Sequence, residues 1–195
     1  FLDDPCSAEA ASSLALATAK ERGLRQIEGL ALPVLGWAQA RQGREGLGRI
    51  RDGIAKLNEI GNRVSIPLFL TLRAEAEALD GAIANALASY EEALMFNAKE
   101  LVYRPQTLIV RGELRCKLGQ TESAEKDFRE AIALARETGA RGFELRATTG
   151  LARLIHGRGD TSAARNMLAP LYAWFTEGID TVDLKGAKVL LGELA

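Results

Sequence analysis

The sequence predicts an all-α fold, namely a right-handed α-solenoid of stacked helical hairpins. Glycines and a proline break the chain about every 20 residues, which is the length of one ordinary helix and its turn. The segments between these breaks are rich in Ala, Leu, Glu and Arg, which are good helix formers. A pattern of small, large and small residues also recurs with a period near 40, as is typical of helical repeats.

The ends of the predicted helices are marked by capping residues. Asp4 before Pro5 is typical of an N-cap followed by proline at the first helical position. Asp160 offers a capping oxygen to a later helix. Helices commonly stop at a glycine in the left-handed conformation. The expected breaks lie near Gly23, Gly43, Gly61, Gly81, Pro105, Gly119, Gly139, Gly159 and Gly178.

One segment, from Thr121 to Gly139, shows the helical period clearly. Its apolar residues are separated by steps of four, three, one and three, which places them on one face of a helix. The charged residues between them, including Arg129, are expected to face water. The apolar positions are Ala124, Phe128, Ala131, Ile132 and Ala135.

The repeated pattern is a small residue, a large residue four positions later and another small residue three positions after that. Small residues let neighbouring helices approach to about 8–10 Å between axes, and the large residue fills the gap. The first members of successive copies are separated by 38 or 40 residues. The copies are Gly46-Ile50-Gly53, Ala86-Tyr90-Ala93 and Ala124-Phe128-Ala131, with weaker ones at Ala8-Ser12-Ala15 and Ala164-Leu168-Leu171.

This repeat predicts a single helical repeat domain over residues 1–195, with about four hairpins. One hairpin cannot bury its own apolar face, so each hairpin should stack on the next. Because the chain begins at Phe1 and not at Met, we expect it to be a fragment of a longer protein. The predicted segments are a helix of a preceding repeat at 1–23, hairpins at 24–61, 62–102, 103–139 and 140–178, and a capping helix at 179–195.

The composition argues against several classes of partner. The 25 Lys and Arg residues balance 26 Asp and Glu residues, whereas nucleic-acid binding usually requires a basic face. No apolar run approaches the ~20 residues of a membrane-spanning helix. The two cysteines, Cys6 and Cys116, are far apart, which favours free thiols and a cytoplasmic location. We therefore expect neither a nucleic acid nor a membrane as partner.

No motif in the chain predicts catalysis, a cofactor or a metal. The glycines between Gly43 and Gly48 lack the Lys-Ser/Thr of a phosphate-binding loop, so we interpret them as a hairpin turn. His156 is the only histidine and has no metal-ligand neighbours, so we interpret it as a polar residue of a turn. A Gly-x-Ser-x-Gly nucleophile element is absent. The fragment is predicted not to be an enzyme.

Two adjacent aromatic residues, Trp174 and Phe175, allow two interpretations. They could stack on a ligand, as aromatic pairs do. Alternatively, Phe175 belongs to the apolar stripe of its helix, and Trp174 packs against the last helix. The helical spacing of Phe175 favours the second interpretation.

The repeated pattern resembles the second helix of a tetratricopeptide repeat (TPR), most clearly in the copies that begin at Ala86 and Ala124. Leu108 and Gly112 are similar to the Leu and Gly of the first TPR helix. The period exceeds the TPR length by about four to six residues, so each hairpin should be about one turn longer. The terminal proline of the TPR motif is missing.

A second resemblance covers most of the chain and is densest from Arg104 onward. Its segments look like the C-terminal TPR-like region of multidomain bacterial signalling proteins. In those proteins a class III adenylate or guanylate cyclase domain, or a winged-helix regulator domain, precedes an AAA-like ATPase. The resemblance implies such a parent protein and places no cyclase or ATPase chemistry in this chain. The segments are 111–114, 144–147, 151–154, 168–172, 174–178 and 180–184.

The concave wall of a solenoid is built mainly by the first helix of each hairpin, and binding is expected there. Polar side chains of mixed sign suit recognition of an extended peptide or a helix, although an ordinary solvated surface is the alternative. The predicted inward-facing residues are Thr71, Glu75, Gln106, Glu113, Lys117, Arg146 and Arg153.

The sequence thus predicts a non-catalytic protein-interaction and regulatory module. Its partner would be a protein, a peptide or another domain of the same chain. One alternative is a small-ligand sensor whose pocket lies between repeats and controls an upstream ATPase or cyclase. A self-contained hydrolase is a third hypothesis, and it would require a nucleophile and a base in contact.

Overall fold

The computed structural model describes residues 4–96 and 101–195, and within these ranges the chain is helical with no strand. The all-α prediction is therefore confirmed. The helices are α1 (Pro5–Arg22), α2 (Arg25–Ala40), α3 (Leu47–Glu59), α4 (Ile66–Leu79), α5 (Ile83–Phe96), α6 (Arg104–Lys117), α7 (Thr121–Glu137), α8 (Arg141–Gly157), α9 (Thr161–Ala173) and α10 (Val182–Glu193).

The helices form two compact units. In the first unit, α2 packs against α1, α3 and α4, and α4 packs against α3 and α5. In the second, α8 packs against α6, α7, α9 and α10. The prediction of one repeat domain with boundaries at the stated hairpins stays a prediction.

The helix ends follow the local signals in the sequence. The Asp4 carboxylate accepts hydrogen bonds from the backbone N–H groups of Cys6 at 3.1 Å and Ser7 at 3.2 Å, with Pro5 at the start of α1. Asp160 likewise accepts from the backbone N–H of Ala163 at 2.9 Å. The predicted glycine breaks have positive φ, as expected for left-handed helix ends: Gly23, Gly43, Gly61, Gly81, Gly119, Gly139, Gly159 and Gly178.

The small–large–small pattern brings helices together in the second unit. Phe128 of α7 is buried, and its ring lies between Gly112 of α6 and Gly150 of α8. A Cβ atom added to Gly112 or Gly150 would lie only 2.9 or 2.7 Å from the Phe128 Cε1 atom. The ring therefore fills a space that exists because both neighbouring helices present a glycine.

In the first unit, glycines allow α2 and α3 to cross at close range. A Cβ atom on Gly46 would lie 1.9 Å from the backbone oxygen of Gly36. A Cβ atom on Gly53 would lie 2.4 Å from Cδ of Pro33. Ile50, which lies between Gly46 and Gly53 in the sequence, is fully buried. The interpretation of this segment as a turn is confirmed for Gly43 to Gly46, which connect α2 and α3, whereas Gly48 lies in the first turn of α3.

The last helix, α10, packs its apolar side against α8 and α9. Leu184, Ala187 and Leu190 of this helix are buried, as is Leu194 directly after it, and Leu191 is partly buried. They share one core cluster with Leu168 of α9 and Ala152 of α8. This packing covers the apolar side chains that α8 and α9 contribute to the cluster.

Gly53→Ala is expected to destabilise the protein by about 1–3 kcal/mol, because the added Cβ collides with a rigid proline ring in a packed crossing. Gly48→Ala is the matched control, since it lies in the same helix and nothing lies within 4 Å of its Cβ position. Helix propensity alone favours alanine by about 1 kcal/mol. Urea unfolding followed by circular dichroism measures both variants, and equal destabilisation would contradict the close crossing.

Candidate functional site

Three of the predicted binding residues meet on the surface shared by α6 and α8. The Arg146 guanidinium donates to both carboxylate oxygens of Glu113 at 3.3 Å. It also donates to the side-chain oxygen of Gln106 at 3.3 Å. We call Gln106, Glu113 and Arg146 the polar cluster. The hydrogen bonds from Arg146 to Glu113 and Gln106 are long, since bonds between charged partners usually lie at about 2.7–2.9 Å.

The other two predicted residues of this unit lie outside the polar cluster. Lys117 is exposed at the end of α6. Arg153 is exposed in α8, and its guanidinium lies close to the backbone of Gly186 in α10.

In the first unit, the two predicted residues differ in accessibility. Thr71 is fully buried, and its hydroxyl donates to the backbone oxygen of Pro67 at 2.9 Å. It therefore presents no surface to a partner. Glu75 is half-buried and accepts a hydrogen bond from the Trp37 indole at 3.2 Å. The Arg41 guanidinium lies 5.8 Å from the centre of the Trp37 ring. The binding role of the predicted residues stays a prediction.

The second unit also contains an open groove of about 590 Å³ that the sequence did not indicate. Its floor is α8, where Glu144, Thr148 and Leu151 are buried. Its walls are α7 and α9, which both pack against α8. We call this feature the α7–α9 groove.

A buried carboxylate on the floor of the α7–α9 groove holds two arginines. Arg136 Nε of α7 donates to Glu144 Oε1 at 2.7 Å, and an Arg141 terminal nitrogen of α8 donates to Oε2 at 2.6 Å. Glu144 is only 2% exposed. Burial acts to raise the pKa of Glu144, but the hydrogen bonds from both arginines outweigh it and hold the pKa below its ordinary value.

One end of the groove is closed by an aromatic residue. Trp174 is 58% exposed, and the Arg141 guanidinium lies 5.5 Å from the centre of its ring, within cation–π range. Helix α9 ends just before Trp174, whose ring contacts Arg141 of α8, and the expectation that Trp174 packs against the last helix stays a prediction. Phe175 packs on the core cluster with α10, although it lies beyond the end of α9 and not on the helical stripe that the sequence predicted, and it meets Trp174 edge-on at 5.0 Å.

A second carboxylate, Glu125 of α7, also holds two arginines. It accepts from Arg158 and, at 2.9 Å, from Nε of Arg129. The hydrogen bond from Arg158, followed by that from Arg129, lowers the pKa of Glu125. Arg129, which the sequence predicted to face water, also lines the α7–α9 groove.

Two polar groups of the groove lack their usual helical partner. The Thr148 hydroxyl has no hydrogen-bond partner within the described part of the chain, whereas neighbouring Thr149 donates to the Leu145 carbonyl at 2.8 Å. Pro170 lies inside α9 and has no N–H, so the Asn166 carbonyl cannot receive the usual helical hydrogen bond. Thr148, Asn166 and Pro170 all line the groove.

The remaining reactive residues occupy ordinary positions. His156 lies in the last turn of α8, just before the turn in which the sequence placed it, and its Nδ1 atom lies 3.0 Å from the hydroxyl of Thr161 at the start of α9. Cys116 is a free thiol whose pKa is raised, mainly by burial. Among the described residues, no group of three or more His, Cys, Asp or Glu side chains could hold a metal ion. No described helix combines the length and apolar character needed to span a bilayer.

Comparison with known proteins identifies the fold and no family. No protein-family model and no curated protein matches the chain in sequence. Among solved structures, the chain is similar to the crystal structure of BtubC (BKLC) from P. vanneervenii, with a TM-score of 0.74 and 19% sequence identity. The match covers 97% of this chain and 81% of that chain. At this identity the likeness shows a shared fold alone.

Glu144→Gln is expected to lower the free energy of unfolding by about 1–3 kcal/mol at neutral pH, because it weakens two charge-assisted hydrogen bonds. The folded pKa of Glu144 lies below its ordinary value of 4.5. Its carboxylate therefore stabilises the fold above that pH, and the contribution is lost as the pH falls through the lowered pKa.

The difference in the free energy of unfolding between the wild type and Glu144→Gln should therefore become smaller in acid. Urea unfolding across a pH series measures it. Glu137→Gln, at an exposed position of the same unit, is the control. A difference that stays constant with pH would contradict the role of the Glu144 charge.

Proposed function

We propose that this chain is a non-catalytic protein-interaction and regulatory module built from TPR-like hairpins. In this proposal the hairpins form a right-handed α-solenoid, and α10 is its capping helix. The succession of paired helices and the buried Ala124-Phe128-Ala131 copy support the TPR-like assignment. The resemblance to the C-terminal region of bacterial signalling proteins supports a regulatory role beside a cyclase or a winged-helix regulator and an AAA-like ATPase, in the cytoplasm.

The polar cluster on α6 and α8 is the observation that carries this proposal. Arg146 and Glu113 are partly exposed, with 23% and 43% of their side chains accessible. Their mutual bonds of 3.3 Å are long, so a partner can replace them without losing strong interactions. A site that offers a cation and an anion suits the mixed groups of a peptide or helix. Lys117 and Arg153 extend the polar surface of the same helices.

The second candidate is a small-ligand sensor. The α7–α9 groove favours it, because its volume falls within the roughly 300–1,000 Å³ of ligand pockets. However, such pockets enclose most of the ligand, whereas this groove is open along α7 and α9. An open groove suits a chain segment better than a small molecule.

The proposed function is tested by placing a photo-crosslinking amino acid at Lys117, and at exposed Lys126 of α7 as a control. We expect a protein or a second domain of the parent chain to crosslink at Lys117 and not at Lys126. Mass spectrometry identifies the partner. Equal labelling at both positions, or none at Lys117, would argue against the proposal.

Arg146→Glu is then expected to weaken binding of the purified partner by about tenfold or more, because it places a like charge beside Glu113. Lys126→Glu makes the same change of charge away from the polar cluster and should alter the affinity less than about twofold. Isothermal titration calorimetry measures both, and circular dichroism checks the fold. Similar losses of affinity in the two variants would show that the polar cluster does not belong to the interface.

A further inference from the structure

The α7–α9 groove carries an excess of positive charge. Three arginines line it, at Arg129, Arg136 and Arg141, against a single lining carboxylate, Glu144. Glu125, which binds Arg129, is itself shared with Arg158. The groove therefore attracts an anionic group and repels a cationic one.

The arginines of the groove keep donors for a ligand. A guanidinium has five N–H donors, and Arg136 and Arg141 each give Glu144 one hydrogen bond. Their side chains are 65% and 46% exposed, so the remaining donors reach solvent. Because Glu144 is buried and fixed, both arginines are held in place before a ligand arrives. Such preorganisation reduces the entropy lost on binding.

Between the charged groups, the groove is apolar. Ile132 and Leu151 are buried on its inner surface, and Met167 and Leu171 of α9 are only partly buried. Methionine adapts readily to the shape of an inserted side chain. The exposed Trp174 ring adds an apolar surface at one end. A ligand that bears charge alone would leave this apolar surface uncovered.

We infer that the α7–α9 groove binds an acidic peptide segment that carries apolar side chains. The carboxylates of the segment pair with Arg136 and Arg141, and an apolar side chain covers Ile132, Met167 and Leu171. A backbone N–H of the segment can donate to the Asn166 carbonyl, which Pro170 leaves without its helical partner. This site is separate from the polar cluster of the proposed function, and it faces the other side of α8.

The probe for this inference is a short capped peptide of Glu-Leu-Glu repeats with a fluorescent label, whose binding is followed by anisotropy. Two matched peptides replace glutamate with glutamine or leucine with glycine. We expect both to bind at least about tenfold more weakly, because each removes one of the two recognised features. Equal affinity of the glutamine peptide would overturn the inference.

Ala133 provides a variant that changes the charge of the groove without removing any of its arginines. It is exposed on α7, one helical turn from both Arg129 and Arg136, and it lines the groove. Ala133→Glu should weaken peptide binding about tenfold or more through repulsion and competition for the arginines. Ala133→Gln has nearly the same shape without the charge and should change the affinity less than about threefold. Similar effects of the two variants would overturn the inference.

Arg136→Gln tests one of the two arginines that donate to Glu144, and Arg25→Gln is its control. Both arginine side chains are similarly exposed, at 65% and 61%, and each pairs with one glutamate. Only Arg136→Gln should reduce peptide affinity, by about tenfold. Thermal unfolding verifies that both variants are folded at the assay temperature.

Inorganic phosphate separates a peptide site from a small-anion site. Phosphate alone should compete only at concentrations at which ionic strength weakens all charged contacts. If it displaced the peptide as effectively as unlabelled peptide does, the groove would be a small-anion site and the inference would fail. Crosslinking at Lys117 reports on the polar cluster and anisotropy reports on the groove, so either proposal can fail without the other.

Discussion

The second unit depends on how closely α6, α7 and α8 approach one another around the ring of Phe128. Gly112 and Gly150 present no side chain to this ring, so α6 and α8 both lie against α7 at a distance that any larger residue would prevent. Both polar sites depend on this spacing. Arg146 of α8 reaches Glu113 and Gln106 of α6, and Glu144 of α8 reaches Arg136 of α7, because α8 packs against both of these helices.

Helix α8 contributes to two surfaces through residues that are close in sequence. Glu144 and Arg146 are two positions apart, and residues at this spacing lie on different faces of a helix. Glu144 is buried beneath the α7–α9 groove, whereas Arg146 belongs to the polar cluster with α6. A change in the position of α8 would therefore affect both surfaces together. This gives the proposed regulatory role a physical basis, since a ligand in one surface can bias the other only through an element that both share.

The sequence predicted the features that are encoded locally. Left-handed glycines, the caps at Asp4 and Asp160 and the apolar face of α7 all follow from short-range patterns, and the structure confirms them. The α7–α9 groove was missed because Arg136 and Glu144 belong to different helices, so their pairing has no helical spacing to reveal it. The sequence placed Thr71 on a binding face, whereas the structure buries it. Almost every side of the helix that carries it is buried, so periodicity could not separate the surface from the core.

The same arrangement of one buried carboxylate between two arginines has different consequences, depending on whether the arginines are buried or exposed. In the α6–α7 pair, Asp127 accepts from Arg111 and Arg115, whose side chains are only 9% and 18% exposed, so this network stabilises the hairpin interior. At Glu144 the carboxylate is equally buried, but its arginines come from helix ends and reach solvent. A buried charge must be paired to be tolerated, and the pairing here fixes two exposed cations in place. Because Glu144 must be paired, two arginines are held at the surface and make it basic. The stability of the α7–α8 contact is therefore linked to recognition of an acidic partner.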